Sequence, residues 1–433
     1  MTDGTEAAPA PETGRATGDG TSAGTPPAGT GRPAPVWPVR AVWLVTRAAL
    51  LLCVFRVVTL PGPDVTSDVH VIYQGWSDVL RTGTFPLDDE TWQYPPAAAL
   101  PILSPLLLSE ALLPGLDYPS AFFLLVCAVD AVVLALLLRA GRRTGGSRAG
   151  AWGWVAGVPL LGPTAYARYD LMVTAVAVAA LLAAVRRPAV AGALAGFGAM
   201  LKVWPVLLLA GIGRGRPARR AVTAAAVTAA VLAAGFAAAL PGAFDFLTYQ
   251  RERGTEVESL GSLVFHVARH FGWEGQVLLH YGSVEFLGPY VNVVSDVALA
   301  LTAAAFGWLL LWRLRARTWS AATPADAALT AVLLFTTTSR VISPQYLLWL
   351  VGLAAVCLTL RASRQRPAAV LVLVATGVTF LEFPLHFADV VGSTPTGIAL
   401  LLVRNGLLVA ACLTAALRLW RTTVPAPPAV PAA

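Results

Sequence analysis

Apolar runs close to the thickness of a bilayer recur along the whole chain. Between them, short arginine-rich segments alternate with segments holding the acidic, aromatic and histidine residues. A helix needs about 20 mostly apolar residues to cross a membrane. The pattern predicts crossings at residues 41–60, 119–138, 150–165, 170–185, 221–240, 290–312, 324–340, 346–360, 367–384 and 395–417. Two other apolar stretches do not fit as full crossings. Residues 97–113, broken by Pro101 and Pro105, would reverse the charge alternation, and read as an interfacial or re-entrant helix on the outer face. Residues 189–213 begin and end beside arginines and are interrupted at Lys202, Trp204 and Pro205. They form either a hairpin of two half-helices or two thin tilted crossings, giving ten to twelve crossings in all. Broken helices at membrane depth are tolerated where they line a cavity. The predicted class is an all-α polytopic membrane protein.

Composition agrees: 56% of the 433 residues are hydrophobic and 13% charged, half the charged share usual in soluble domains. That excludes a cytosolic enzyme, a secreted disulfide scaffold and a nucleic-acid-binding domain. The net charge of +7 reads as topology, because short basic loops stay cytoplasmic; both termini then lie inside. Cys53, Cys127, Cys357 and Cys412 sit in apolar runs with no metal spacing and read as small hydrophobes. Residues 1–38, rich in Gly, Pro, Thr and Ala, read as a disordered cytoplasmic tail without a signal peptide, residues 39–421 as the membrane domain, and 422–433 as a second tail.

Candidate chemistry concentrates in two long outer loops, residues 61–96 and 241–289, expected to form a lid or vestibule. Asp68, just past the first crossing, is a candidate general base, since nearby low-dielectric surroundings raise a carboxyl pKa toward working pH; Tyr73, Trp76 and Tyr94 offer faces on which a sugar or lipid chain can stack. The alternative is a solvated Asp with interfacial aromatic anchors. Asp88, Asp89 and Glu90 stand side by side and read as solvated. Lys202 at membrane depth should face a cavity or an anion, unless it snorkels to the interface. Asp170 opens a crossing beside Arg168, either as a site residue or as an exposed pair. Asp130, inside a crossing, needs a polar partner and reads as structural first. In the second loop, Arg251 to Glu258 carry five charges in eight residues, either a solvated face or an anion site in which Arg253 grips phosphate. Arg340, on an outer turn with Gln345 and Tyr346, breaks the inside bias. Glu382, His386 and Asp389 share an outer loop, but their spacing does not make a metal site. No phosphate loop, nucleophile elbow or zinc-protease helix occurs, so any donor must be reached from the membrane.

In order along residues 41 to about 420, the chain shows Asp68 with Tyr73 and Trp76, then Tyr94-Pro95-Pro96, then Leu201-Lys202-Val203-Trp204-Pro205. Arg253-Gly254 with Glu258-Ser259 follows, then Ser343-Pro344-Gln345-Tyr346 with Trp349. This ordered set resembles glycosyltransferase family 87, the polyprenyl-phosphate-mannose-dependent mannosyltransferases of actinobacteria in the GT-C class; the Ala-, Arg- and Gly-heavy composition suits such an origin. The resemblance implies a GT-C-like bundle with a catalytic base in the first outer loop, which falls on Asp68, and a lysine before an aromatic-proline pair, which is Lys202. It further implies transfer of a sugar, mannose first, from a polyprenyl-phosphate donor to a glycolipid or glycan acceptor at the outer face of the cell membrane. Lys202, Arg253 and Arg340 would hold the departing phosphate, and Tyr73, Trp76, Tyr94, Asp170, Glu258, Gln345 and Tyr346 would contact substrate. No cofactor is implied, and a divalent metal stays open. The rival is a lipid or solute transporter with Lys202 at a broken midplane helix, although such folds usually repeat the break in a second half.

Overall fold

The computed structural model describes residues 35–86, 89, 91–249 and 254–425. Residues 1–34 and 426–433, with Asp88, Glu90, Arg251, Glu252 and Arg253, lie outside the described residues.

In chain order the helices are α1 Trp37–Val54, α2 Gln74–Arg81, α3 Ala99–Leu106, α4 Tyr118–Gly141, α5 Ala149–Leu160, α6 Asp170–Ala183, α7 Pro188–Leu201 and α8 Arg216–Ala239. There follow α9 Phe246–Tyr249, α10 Leu263–Ala268, α11 Val291–Arg315, α12 Thr323–Thr338, α13 Tyr346–Thr359, α14 Arg366–Phe380, α15 Phe387–Val391 and α16 Pro395–Thr423. Proline stands in the first turn of α4, α7, α8, α12, α14 and α16, where its missing N–H costs no hydrogen bond and its fixed φ suits the helix. Asp117 and Thr394 cap α4 and α16 by accepting from the backbone N–H of Ser120 and Gly397, as short polar side chains do at this position. Among the described residues, six helices are long and apolar enough to cross a membrane: Trp37–Val54, Tyr118–Gly141, Arg216–Ala239, Val291–Arg315, Arg366–Leu385 and Pro395–Thr423. The protein is an all-α polytopic membrane protein.

The arginine-bearing segments gather at one end of the bundle. Gly146 bridges Leu360, the Arg361 N–H donates to Gly145, the Arg418 guanidinium donates to the Arg364 carbonyl, and the Arg317 N–H donates to Thr423. Arg313 donates to the carbonyls of Ala210 and Ile212 at the same end. The two long loops meet at the other end, where the Phe85 N–H donates to the Pro241 carbonyl.

Packing decides how residues 189–213 run. A Cβ on Gly192 would lie 2.0 Å from the Ala221 carbonyl oxygen, and one on Gly196 2.3 Å from that of Ala225. The small-residue stripe therefore brings the α7 and α8 backbones together, and the rising pairs 192–221 and 196–225 show that the two helices run in the same direction. The chain between them must turn back. It does so at Lys202, whose backbone is extended, and continues as a 3₁₀ segment, Trp204–Gly211. Pro205 causes the break, because it has no N–H for the Leu201 carbonyl; the Tyr169 hydroxyl reaches that oxygen instead at 3.5 Å. The chain thus runs from the arginine end to a tip at Lys202, level with the start of α6 and of α13, and back again. Residues 97–113 stay at that same end: the Tyr118 hydroxyl, at the start of α4, donates to the Ile102 carbonyl, and Glu110 pairs with Arg81.

The second loop holds structure that its composition hides. Strands β1 Thr255–Glu256, β2 Gln276–His280 and β3 Ser283–Leu287 form an antiparallel sheet in the order β1-β3-β2, with Phe286 opposite Thr255 and Val277. Val257, Phe265 and Phe286 pack with Val291, Val390 and Leu401, which docks the sheet on α11, α15 and α16.

Candidate active site

At this tip, Lys202 Nζ lies 2.6 Å from Asp170 Oδ1, and the Trp349 indole N–H donates to the same oxygen at 2.7 Å. The Tyr94, Tyr169 and Trp349 rings surround the ammonium at 5.1, 5.1 and 5.3 Å, a distance at which ring faces attract cations. Lys202 is the only lysine in the sequence. Trp349 is itself stacked between Trp204 and Tyr346. The arrangement borders a cavity of about 410 Å³ lined by Gln93, Tyr94, Lys202, Arg340, Gln345, Tyr346 and Trp349, among others, with Tyr281 and Ser283 of the sheet forming part of its wall. Both long loops thus contribute to it.

Arg340 reaches this wall because the second loop holds its turn. The Glu256 carboxylate accepts from the Ile342 N–H and the Ser343 hydroxyl, and the Glu256 N–H donates to the Arg340 carbonyl. Glu256 is 3% exposed, so the reading of this segment as a solvated face fails there. Glu258 is also buried, not on the cavity lining: its carboxylate lies 3.7 Å from Arg404, which is bonded to Glu382. Burial, reinforced by Glu382 and Glu256 and opposed by Arg404, pushes the Glu258 carboxyl well above the ordinary glutamate range. Arg253 falls outside the described residues.

Asp68 begins a π-helical segment, Asp68–Tyr73, running into α2. Its carboxylate lies 2.9 Å from Arg168 and is 30% exposed; the guanidinium also donates to the carbonyls of Val65 and Ala167. Arg168 and Asp170 are therefore not an exposed pair: Arg168 takes Asp68, and Asp170 takes Lys202. Three consecutive residues, Arg168-Tyr169-Asp170, hold both sequence-predicted groups, although neither Asp68 nor Arg168 lines the 410 Å³ cavity itself. Tyr73 is buried, stacked on Trp76 and tilted against Tyr169. Trp76 lies by a separate open groove of about 720 Å³ that shares Thr91 with the cavity. Asp89 is not a solvated carboxylate: it accepts from the Trp76 indole and from the N–H and hydroxyl of Thr91, shaping that wall.

Glu382, His386 and Asp389 part company, Glu382 to Arg404 and His386 to Asp389. Among the described residues no group of three His, Cys, Asp or Glu side chains is placed to hold a metal.

The sequence-predicted residues Tyr94, Asp170, Lys202, Glu258 and Arg340 all fall within residues 92–344, which match the family model of glycosyltransferase family 87. That match covers more than half of the chain, beginning after Asp68 and ending just before Gln345. No curated protein and no solved structure matches the chain. The chain belongs to glycosyltransferase family 87.

Proposed function

We propose that this membrane glycosyltransferase takes a sugar, with mannose the first to test, from a polyprenyl-phosphate donor. It transfers that sugar to a hydroxyl of a glycolipid or glycan at the outer face of the cell membrane, with residues 39–421 as the catalytic unit. The observation that carries this reading is the tripeptide Arg168-Tyr169-Asp170, which ties Asp68 and Lys202 to one short piece of backbone. Residues two apart are separated by at most about 7 Å along an extended chain, so a carboxylate and a cation of opposite roles sit in one neighbourhood.

The donor phosphate lies between Lys202 and Arg340, joined by Arg253, and the sugar against Tyr94 and Tyr346, with Gln345 toward its hydroxyls. Asp68 removes the proton of the acceptor hydroxyl as that oxygen attacks the anomeric carbon. The bond from that carbon to the phosphate oxygen breaks, and the polyprenyl phosphate leaves with the electron pair. A single displacement inverts the configuration. Fixed cations lower the barrier most where charge grows during reaction, here on the phosphate. The energy resides in the sugar–phosphate bond, so no nucleotide is needed. The positive-inside rule puts the arginine end and both termini in the cytoplasm and the Lys202 end outside. Membership of a glycosyltransferase family favours transfer over the carrier reading, as does the position of Lys202 at the level of helix starts rather than the middle of a helix.

The test is transfer in proteoliposomes from radiolabelled polyprenyl-phosphate mannose to extracted glycolipids. Labelled glycolipid that disappears with Asp68→Asn is expected. Transfer from a nucleotide sugar alone, or movement of donor without a new bond, would contradict the proposal.

A further inference from the structure

At the arginine end, α4 and α6 leave a cleft of about 340 Å³ lined by Leu136, Arg139, Ala140 and Arg143 on one side and Leu182, Ala183, Arg186 and Arg187 on the other. Residues 136, 139, 140 and 143 share a helical face, as do 182, 183 and 186 with the turn that follows. Four exposed arginines thus line one concavity, where their like charges repel and a bound anion would relieve that repulsion. Among the described residues no carboxylate lines the cleft, and the sequence offers none nearby: it has no Asp or Glu between Asp130 and Asp170, or between Asp170 and Asp245.

Membrane topology accounts for arginines at this end but not for these two features. Acidic residues weigh little in setting orientation, so their exclusion is not required by it, and nothing in that rule makes arginines converge. Helix C-termini favour cations, which accounts for Arg139 in the last turn of α4 but not for four guanidiniums around one opening. The site lies at the far end of α6 from Lys202, roughly 20 Å away at a helical rise of ~1.5 Å per residue, so it is separate from the transfer site. The lining joins two part-buried leucines, Leu136 and Leu182, to four exposed arginines. That is the complement of an amphiphile with an anionic head, and basic pockets between membrane helices recognise phosphate headgroups in this way.

We infer that this cleft binds the phosphate headgroup of an anionic phospholipid from the leaflet at the arginine end. Guanidinium forks engage the phosphate oxygens in pairs, while the start of the acyl chains lies on the two leucines. The inference is independent of the donor and acceptor proposed above.

The full chain, purified in detergent, is titrated with phosphatidylglycerol and, separately, with phosphatidylcholine, reading retained lipid by native mass spectrometry and the unfolding temperature. Phosphatidylglycerol should bind and stabilise more strongly. The pair Arg143→Gln and Arg186→Gln should raise the phosphatidylglycerol concentration needed by roughly tenfold or more, on the scale of two lost basic contacts, and leave phosphatidylcholine unchanged. The control pair Arg219→Gln and Arg364→Gln, from the same end but outside the cleft, should change neither. Equal weakening by the control pair would replace a site by a diffuse field and overturn the inference. So would stabilisation by inorganic pyrophosphate as strong as by the lipid, which would assign the cleft to a soluble anion. If the cleft variant cannot be purified, a photoactivatable phosphatidylglycerol on the unaltered chain decides: label at residues 136–143 and 182–187 supports the site, and label spread elsewhere overturns it.

Discussion

Two buried cation–carboxylate pairs use the same chemistry for different ends. In the first, Arg47 meets Asp130 at 2.6 Å, and both side chains are at most 1% exposed. Asp130 also accepts from the Trp154 indole and the Tyr166 hydroxyl, and Arg47 also donates to the Val155 carbonyl. In the second, Lys202 meets Asp170 at the same 2.6 Å, again with an indole on the carboxylate, from Trp349. But Lys202 faces a 410 Å³ cavity together with Arg340. The first pair is closed by protein on every side and ties α1, α4 and α5 together. The second is open on one side. A buried charge thus marks a candidate site only when a cavity gives it something other than its partner to bind.

The comparison can be broken by mutation. Arg47→Met leaves a carboxylate stranded among helices, and removing one member of a buried pair costs about 3–5 kcal/mol. Thermal unfolding of the purified variant, or its yield if it does not survive purification, should show that loss. Lys202→Met should cost clearly less stability, because Lys202 borders the cavity, where water or an ion can take the place of the lost ammonium. An equal loss in both would mean that the second pair is also a strut.

Effects on activity come next. Asp68→Asn keeps the shape but removes the base, and turnover should fall at least roughly 100-fold, with the unfolding temperature little changed because Asp68 is part-exposed. Asp89→Asn is not an inert control, given its bonds to Trp76 and Thr91; Asp78→Asn serves better and should retain activity. Lys202→Met should weaken donor use by roughly 10- to 150-fold, the worth of one charge-assisted contact, and weaken acceptor use less. The two effects are separated by varying each substrate in steady-state transfer.

The smallest expected effect concerns Glu258. Its folded pKa is raised, so folding favours the protonated form; the associated stability is fully present below the unfolded pKa of about 4.3 and is lost as pH rises toward the folded value. Glu258→Gln removes that loss. The variant's unfolding temperature should therefore equal the wild type's near pH 4.5 and exceed it increasingly toward pH 8. A constant difference across this range would mean that the carboxyl is ionised when folded.

Much of this was visible in the order of residues. Arginines on both sides of residues 189–213 limited that stretch to a hairpin or two thin crossings, and Pro205 located its break. The isolated Lys202 and Arg340 pointed to one site because charges at such positions need a reason. What could not be read was pairing. Asp170 is 32 residues from Lys202 and 179 from Trp349, and only the packing of α6, α7 and α13 unites them. The same holds for Asp68 and Arg168. Five charges from Arg251 to Glu258 look solvated until the fold buries Glu256 and Glu258, and the strands, two to five residues long, are too short to leave a period.

The central claim is that Lys202 receives the donor phosphate, and the single lysine of the sequence makes it directly measurable. Protein grown on lysine carrying ¹³C at Cε gives one side-chain resonance, from Lys202. Saturating polyprenyl phosphate, the expected leaving product, should shift that resonance and raise the pH at which the amine titrates, whereas an uncharged polyprenol should do neither. An unchanged resonance and titration under conditions where the same sample still transfers sugar would contradict the account.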